Sequence, residues 1–256
     1  NRMNKTTTQN EPARQALRKT FSVSEFMAFG ERYGIDYRFP LLRQTPAPSH
    51  ASPVLRGEVE EMTLPCGMCV THSDVQVLQP YETTSRHSSP LYMLVVLEGC
   101  VTLQINGHTW RVRPGMVLAT SLDEHQVLNA RHQGDERLVT VSLAIHPARF
   151  CPQSGIAALL NIWRNSPTTG LWTVPTHVMT GLRSALFCEG NPAARQLILE
   201  GILLQLLGHQ LLETRNRPAC APGGNAPARQ QARRPGPGSR PDAPAAPAHR
   251  ARRWPR

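Results

Sequence analysis

An Asn106-Gly107 dipeptide set between two runs of alternating apolar and polar residues, CVTLQI and HTWRV, limits this chain more than any other feature. A type I′ turn needs positive φ at both central residues, and Asn-Gly supplies it at least cost. A two-residue loop also fixes the register. Ile105 is set opposite His108, Leu103 opposite Trp110 and Val101 opposite Val112. Val101, Leu103, Ile105, Trp110 and Val112 then share one buried face, while Thr102, Gln104, Thr109 and Arg111 point the other way. Ahead of the hairpin, Leu91 to Leu97 reads as a nearly continuous apolar strand stopped by Glu98-Gly99. Behind it, Pro114-Gly115 makes a turn and Met116 to Ala119 starts another strand.

The flanks extend the pattern. Strands are predicted at Val59 to Leu64 and Met68 to Leu78, with a polar loop from Pro80 to Pro90 between them and the hairpin region. Further strands follow at Gln126 to Ala130 and Leu138 to Ile145, joined at Gly134-Asp135. Seven or more short antiparallel strands with no intervening helices predict a closed barrel or jelly roll rather than an α/β sheet. Upstream, Ser22-x-x-Glu25 is a capping box, and it predicts a helix from Ser22 to Tyr33 closed by Gly34. Asn1 to Thr20 reads as loose, and 40–53 as a Pro-rich linker. Past Pro152 the period changes. Ile156, Leu159, Leu160 and Trp163 predict one helix, and Thr176 to Phe187 a second. Asn191-Pro192 starts a third, which runs to about Glu213. The apolar surface of that third helix is wider than one core-facing stripe, so it has to be covered on two sides. Gly201 and Gly208, seven residues apart, would allow another helix to come close.

The net charge of +10 is unevenly spread. From Arg215 onward the chain holds ten Arg and one Asp, which leaves only +1 for residues 1–214, so charge gives no reason to read the folded part as a nucleic-acid binder. The same 215–256 segment has nine Pro and no Leu, Ile, Val, Phe or Met, so it cannot build a core and is predicted to be disordered. No signal peptide or membrane-length run is present, and the six Cys are scattered in apolar contexts, which predicts free thiols in a reducing cytoplasm. Cys66-Gly-Met-Cys69 has the spacing of redox and zinc sites. With no second such pair, and lying between two strands, it reads as idle thiols. Glu60-Glu61, Asp123-Glu124 and Asp135-Glu136 read as solvated charge. GxSxG, P-loop, GxGxxG and HExxH motifs are all missing.

The succession VLEG, NG and PG, followed by His125 ten residues after Gly115, resembles the small β-barrel of the cupin superfamily. More narrowly, it is similar to the N-terminal sensor domain of AraC-family transcriptional regulators. The resemblance covers Glu58 to Phe150 and extends to the helices as far as Glu213. The layout from Pro65 to Leu78 is similar to that of regulators of siderophore uptake. The resemblance implies a mainly β chain: a cupin-like sensor barrel at 54–150, a helical dimerisation segment at 151–214 and a disordered tail at 215–256, after an extension at 1–53 that can fold over the pocket as an arm. It implies a small-molecule effector, a homodimer formed through helices 176–214, and transcriptional regulation with no catalytic residue and no cofactor.

In the intact family two helix-turn-helix units follow. The recognition helix is absent here, so sequence-specific DNA binding is expected to fail. A slip of reading frame near Thr214 would account for the Arg/Pro/Ala/Gly tail, and a native basic arm that binds nucleic acid is the competing account. Strand parity gives Tyr92, His87, Trp110 and His125 as ligand contacts, with His72, Met68 and Val70 as possible wall. Metal-dependent cupin enzymes carry four ligands. Only His87 and His125 match that set, since Ser85 stands at one of the remaining places and Leu91 or Tyr92 at the other, so no metal is expected. The alternatives are such an enzyme, or a stand-alone small-molecule-binding cupin with a basic tail.

Overall fold

In a computed structural model of the chain, residues 19–33, 35–39, 51–85, 88–145, 155–165, 167–187 and 190–216 are described. The fold is mainly antiparallel β, in two facing sheets with helices behind one of them. The larger sheet has the order β1-β3-β4-β11-β6-β9-β12. Its strands are β1 (Lys19–Ser22), β3 (Pro53–Thr63), β4 (Met68–Val77), β6 (Ser89–Glu98), β9 (Met116–Leu122), β11 (Glu136–Ile145) and β12 (Gly170–Thr173). The smaller sheet has the order β2-β5-β10-β7-β8. It is built from β2 (Ile35–Arg38), β5 (Tyr81–Ser85), β7 (Val101–Ile105), β8 (His108–Val112) and β10 (Leu128–His132). The helices are α1 (Val23–Tyr33), α2 (Gly155–Asn165), α3 (Thr176–Phe187) and α4 (Pro192–Asn216). Among the described residues no helix is long and apolar enough to cross a membrane.

The central hairpin forms in the expected register, with Ile105 opposite His108, Leu103 opposite Trp110 and Val101 opposite Val112. Both turn residues have positive φ, 50° at Asn106 and 77° at Gly107. At the next turn the amide of Met116 donates to the carbonyl of Arg113 at 3.0 Å, with Gly115 at φ 82°. That is a type II turn with Pro and Gly at its two central positions. The continuous apolar run of β6 is explained by burial on both faces. Leu91, Met93, Val95 and Leu97 face the helices, whereas Leu94 and Val96 face the smaller sheet.

Three helices pack behind the larger sheet. In α2, Ile156, Leu159, Leu160 and Trp163 are buried as their spacing predicts. The span of α3 matches its prediction, and the Asn191 side chain caps α4 by accepting from the amide of Ala193 at 2.9 Å. At the other end of the chain, the Ser22 amide donates to Glu25 Oε2 at 2.8 Å, which is one half of the capping box.

The structure corrects several boundaries. The segment Pro80 to Pro90 is not all loop, because Tyr81–Ser85 is a strand in the middle of the smaller sheet's order, between β2 and β10. Only five residues long and flanked by prolines, it carries too little periodicity to stand out. Lys19 and Thr20, read as loose, belong to β1, which pairs with β3. Neither β2 nor β12 was expected. Strand β3 begins at Pro53, six residues before its predicted start, and Val54 and Leu55 are buried. Gly57 hides that continuity. It is buried opposite Val75 with φ 151°, and a Cβ there would lie 2.1 Å from the carbonyl oxygen of Asp74. In β4 the apolar side switches along the strand. Met68 and Val70 face the helices, while Val75 and Val77 face the smaller sheet. Residues 1–18, 40–50 and 217–256 lie outside the described residues, and with them most of the linker expected at 40–53 and of the tail expected at 215–256; Pro53 opens β3, and α4 runs on to Asn216, past its expected end at Glu213.

Candidate functional site

Between the sheets lies a cavity of about 870 Å3, a size that suits a small organic ligand. Its lining follows from strand parity. Thr71 and Ser73 of β4 point inward beside Ser142 and Thr140 of β11, and the register places Thr71 opposite Ser142 and Ser73 opposite Thr140. The result is a four-cornered patch of hydroxyls on one wall. Tyr92 of β6 adds its phenol, which hydrogen-bonds Ser142. The other walls are apolar and include Leu94, Val101, Leu103, Leu128 and Ala130. The N-terminal segment contributes as well. Phe21, Phe26 and Tyr37 line the cavity, and the Phe26 ring sits 4.8 Å from Tyr37 and 5.4 Å from Tyr81 between centroids.

The titratable groups on this lining are held mostly neutral. Burial pushes the Tyr92 phenol up to about 12, against the opposing pull of its bond to Ser142. Tyr37 is likewise pushed up to about 12, by burial first and then by the Glu61 carboxylate nearby. Glu61 is an exposed residue on this lining, so it stands at the cavity mouth.

Burial drives His132 down to about 4, and its ring stacks on Tyr81 at 4.3 Å. Its Nδ1 is sealed from solvent with no hydrogen-bond partner among the described residues. A histidine whose folded pKa is depressed contributes stability above its unfolded pKa and loses it as pH falls toward the folded one. Thermal stability is therefore expected to drop between about pH 6.5 and pH 4, by up to about 1.4 kcal/mol per pH unit from this group. In a calorimetric pH series His132→Phe should flatten that slope; an unchanged slope would assign it to other groups.

Of the expected ligand contacts, the structure places Tyr92 on the cavity wall. His72 is buried on the opposite face of β4, with its ring 5.6 Å from that of Phe187 on α3. It cannot reach the cavity because even-numbered β4 residues at this point face the helices. Met68 shares that face and belongs to the helix-side core, and so does Val70, although Val70 also touches the cavity. Trp110 has the right parity but lies on β8, the edge strand of the smaller sheet, and packs on the inter-sheet core away from the cavity. His125 stands on a surface turn with its side chain 89% exposed. The Asp123 carboxylate builds that turn, accepting from the amides of His125 and Gln126. His87 lies outside the described residues. Among those described, no three His, Cys, Asp or Glu gather as a metal would need.

The sequence reading missed the hydroxyl patch, although the alternation of Thr71 and Ser73 in β4 and of Thr140 and Ser142 in β11 was there to find it. The pair Glu60-Glu61 is also more than solvated charge. Glu61 faces the cavity, while Glu60 points to the helix side and accepts two bonds from the guanidinium of Arg195 on α4, at 3.2 and 2.8 Å. A second tie joins the helix to the sheet, where Glu200 accepts from the amide of Cys66 at 2.8 Å. Burial and the same carboxylate push the Cys66 thiol up to about 11, which makes it a poor nucleophile.

The family model described as the regulatory protein PchR N-terminal domain matches residues 56–225. No curated protein matches. Among solved structures, the AraC-like transcriptional activator CuxR is 10% identical, with a TM-score of 0.46 over 82% of this chain and 73% of that one. Unsaturated-fatty-acid-bound ToxT from Vibrio cholerae is 12% identical, with a TM-score of 0.39 over 60% of this chain and 57% of that one.

Proposed function

This chain belongs to the family of the regulatory protein PchR N-terminal domain, the ligand-sensing regulatory domain of AraC-type transcription factors, and from that premise we propose that its effector binds in the cavity between the two sheets. The observation that carries the reading is the two-sided lining of that cavity, hydroxyls on one wall and aliphatic side chains on the others. A few converging polar groups in a mostly apolar concavity are what a small-molecule site requires. Tyr92 is the contact retained from the sequence reading.

The second part of the reading is a homodimer through α4. The helix buries Leu199, Leu203, Leu206 and Leu207 against its own core. It leaves Leu197 at 67% and Leu204 at 42% exposed. Leu197, Gly201, Leu204 and Gly208 follow one another at spacings of four, three and four, the repeat of a two-helix seam. A Cβ added at Gly201 or Gly208 would meet nothing within 4 Å, so both glycines open outward. A second copy's α4 can come close over them.

Sedimentation analysis tests the dimer. Leu204→Glu is expected to weaken it at least about 100-fold, since a charge would be buried at the seam. The melting temperature of the monomer should hold, because Leu204 faces away from the core. A dimer that survives L204E places the interface elsewhere. The effector reading is tested by thermal-shift screening of small molecules against the wild type and Ala144→Phe, which fills the cavity from β11. A ligand that stabilises both equally is not bound there.

A further inference from the structure

We propose that the cavity takes an amphipathic ligand without negative charge, neutral or cationic, whose polar groups bond the Thr71–Ser73–Thr140–Ser142 wall and whose apolar part lies against β6, β7 and β10. This rests on the reading of the cavity as the effector site and adds the chemical class of what enters it.

The hydroxyl wall comes first. Four Ser and Thr side chains from two paired strands face one space, and the register sets them in opposing pairs, Thr71 with Ser142 and Ser73 with Thr140. Opposing Cβ atoms in such a ladder lie about 5 Å apart, and next-but-one residues along a strand about 7 Å apart. A hydroxyl donates one hydrogen bond and accepts others, and it carries no charge. The patch can therefore bond several oxygens or nitrogens of a neutral ligand at once, but it offers no countercharge to an anion. Facing it are Leu103 and Ala130 of the smaller sheet, both almost fully buried, which suit hydrocarbon.

Charge decides the rest. Glu61 sits opposite Thr71 on the neighbouring strand, beside the hydroxyl patch. Its field reaches Tyr37, where it adds to the larger effect of burial in raising that phenol's pKa. His132 is kept neutral by burial, so it offers no positive charge at neutral pH. A carboxylate or phosphate entering here would give up its hydration, meet a like charge at the mouth and find neutral partners along the described lining. Burying a charge without a partner is among the costliest steps a site can require. A neutral diol or polyol incurs no such cost, and an ammonium group gains from Glu61.

The test uses three probes that share one octyl chain and differ only in the head: 1-O-octylglycerol, octylamine and nonanoate. All are titrated calorimetrically into the full chain at pH 7.5, below their micellar concentrations. The neutral diol and the amine are expected to bind at least about ten times more tightly than nonanoate, a difference of about 1.4 kcal/mol. Thr71→Val with Ser142→Ala should weaken the diol about tenfold and leave nonanoate unchanged. Glu61→Lys should reverse the order of amine and nonanoate. Nonanoate binding the wild type as well as the diol does would overturn the ligand class while leaving the cavity as the site. Binding that persists unchanged in Ala144→Phe, or no binding by any of the three, would overturn the reading of the cavity itself.

Discussion

Trp163→Ala is expected to destabilise the domain by about 3–5 kcal/mol, the range for removing a large aromatic side chain from a packed core. Trp163 is 2% exposed and sits in the cluster that joins α2 to the larger sheet. Its indole also holds the chain in place, since Nε1 donates to the Pro90 carbonyl at 2.7 Å. Pro90 lies at the start of β6, the strand that separates the helix-side core from the cavity. The alanine variant thus loses packing and also leaves a carbonyl short of its donor. Trp163→Phe helps to separate the two effects, because it keeps a six-membered ring in the core and so loses the smaller part of the packing together with the hydrogen bond, the latter worth about 1 kcal/mol. Urea unfolding of both variants gives the comparison. A phenylalanine variant as unstable as the alanine one would put most of the energy in the bond to Pro90.

Gly57→Ala comes next in size, with an expected loss of at least about 3 kcal/mol. The added methyl carbon would lie 2.1 Å from the Asp74 carbonyl oxygen and 2.7 Å from the Val75 Cα. Both are backbone atoms of β4, so no side chain can turn aside to make room. The φ of 151° is in addition one that residues with a Cβ rarely adopt. The β3–β4 ladder would have to part where it carries Glu58 to Thr63 toward the cavity and α4. Amide exchange locates the damage: protection should fall first in β3 and in the β4 residues opposite it. A variant with wild-type stability would mean that the two strands can separate at Gly57 without cost.

Much of this fold is legible in single residues. Asn106-Gly107 specifies its hairpin down to the register. Asn191-Pro192 marks the start of α4, and the four apolar residues of α2 mark its buried face. These are local signals in which one or two residues dictate a dihedral or a face. The strands that escaped, β1, β2, β5 and β12, are four or five residues long and owe their conformation to partners distant in sequence. The site was legible only in part, for a related reason. Parity identifies which residues share a face of a strand, but not which layer lies over that face. His72 and Thr71 are equally good candidates from the sequence, and only the packing of α3 against one side of β4 separates them. Trp110 shows the same limit across a sheet, because correct parity on an edge strand still falls short of the cavity. Polar side chains drew attention to histidines, whereas the polar wall is made of serines and threonines.

Strand β3 has a bearing on how such a domain can diverge. Glu60 holds the helix with the exposed leucine seam, and Met62 packs on the same side. Val59, Glu61 and Thr63 face the cavity. On the proposed reading, recognition and assembly are written on one ribbon in largely alternate letters, with Met62 touching both sides. On that reading a lineage can exchange the chemistry it responds to by drifting at the odd positions, while Glu60 stays under selection for the placing of the helix. The pleat of a strand, the plainest property of β structure, would then keep a change of signal from costing the organism its regulator.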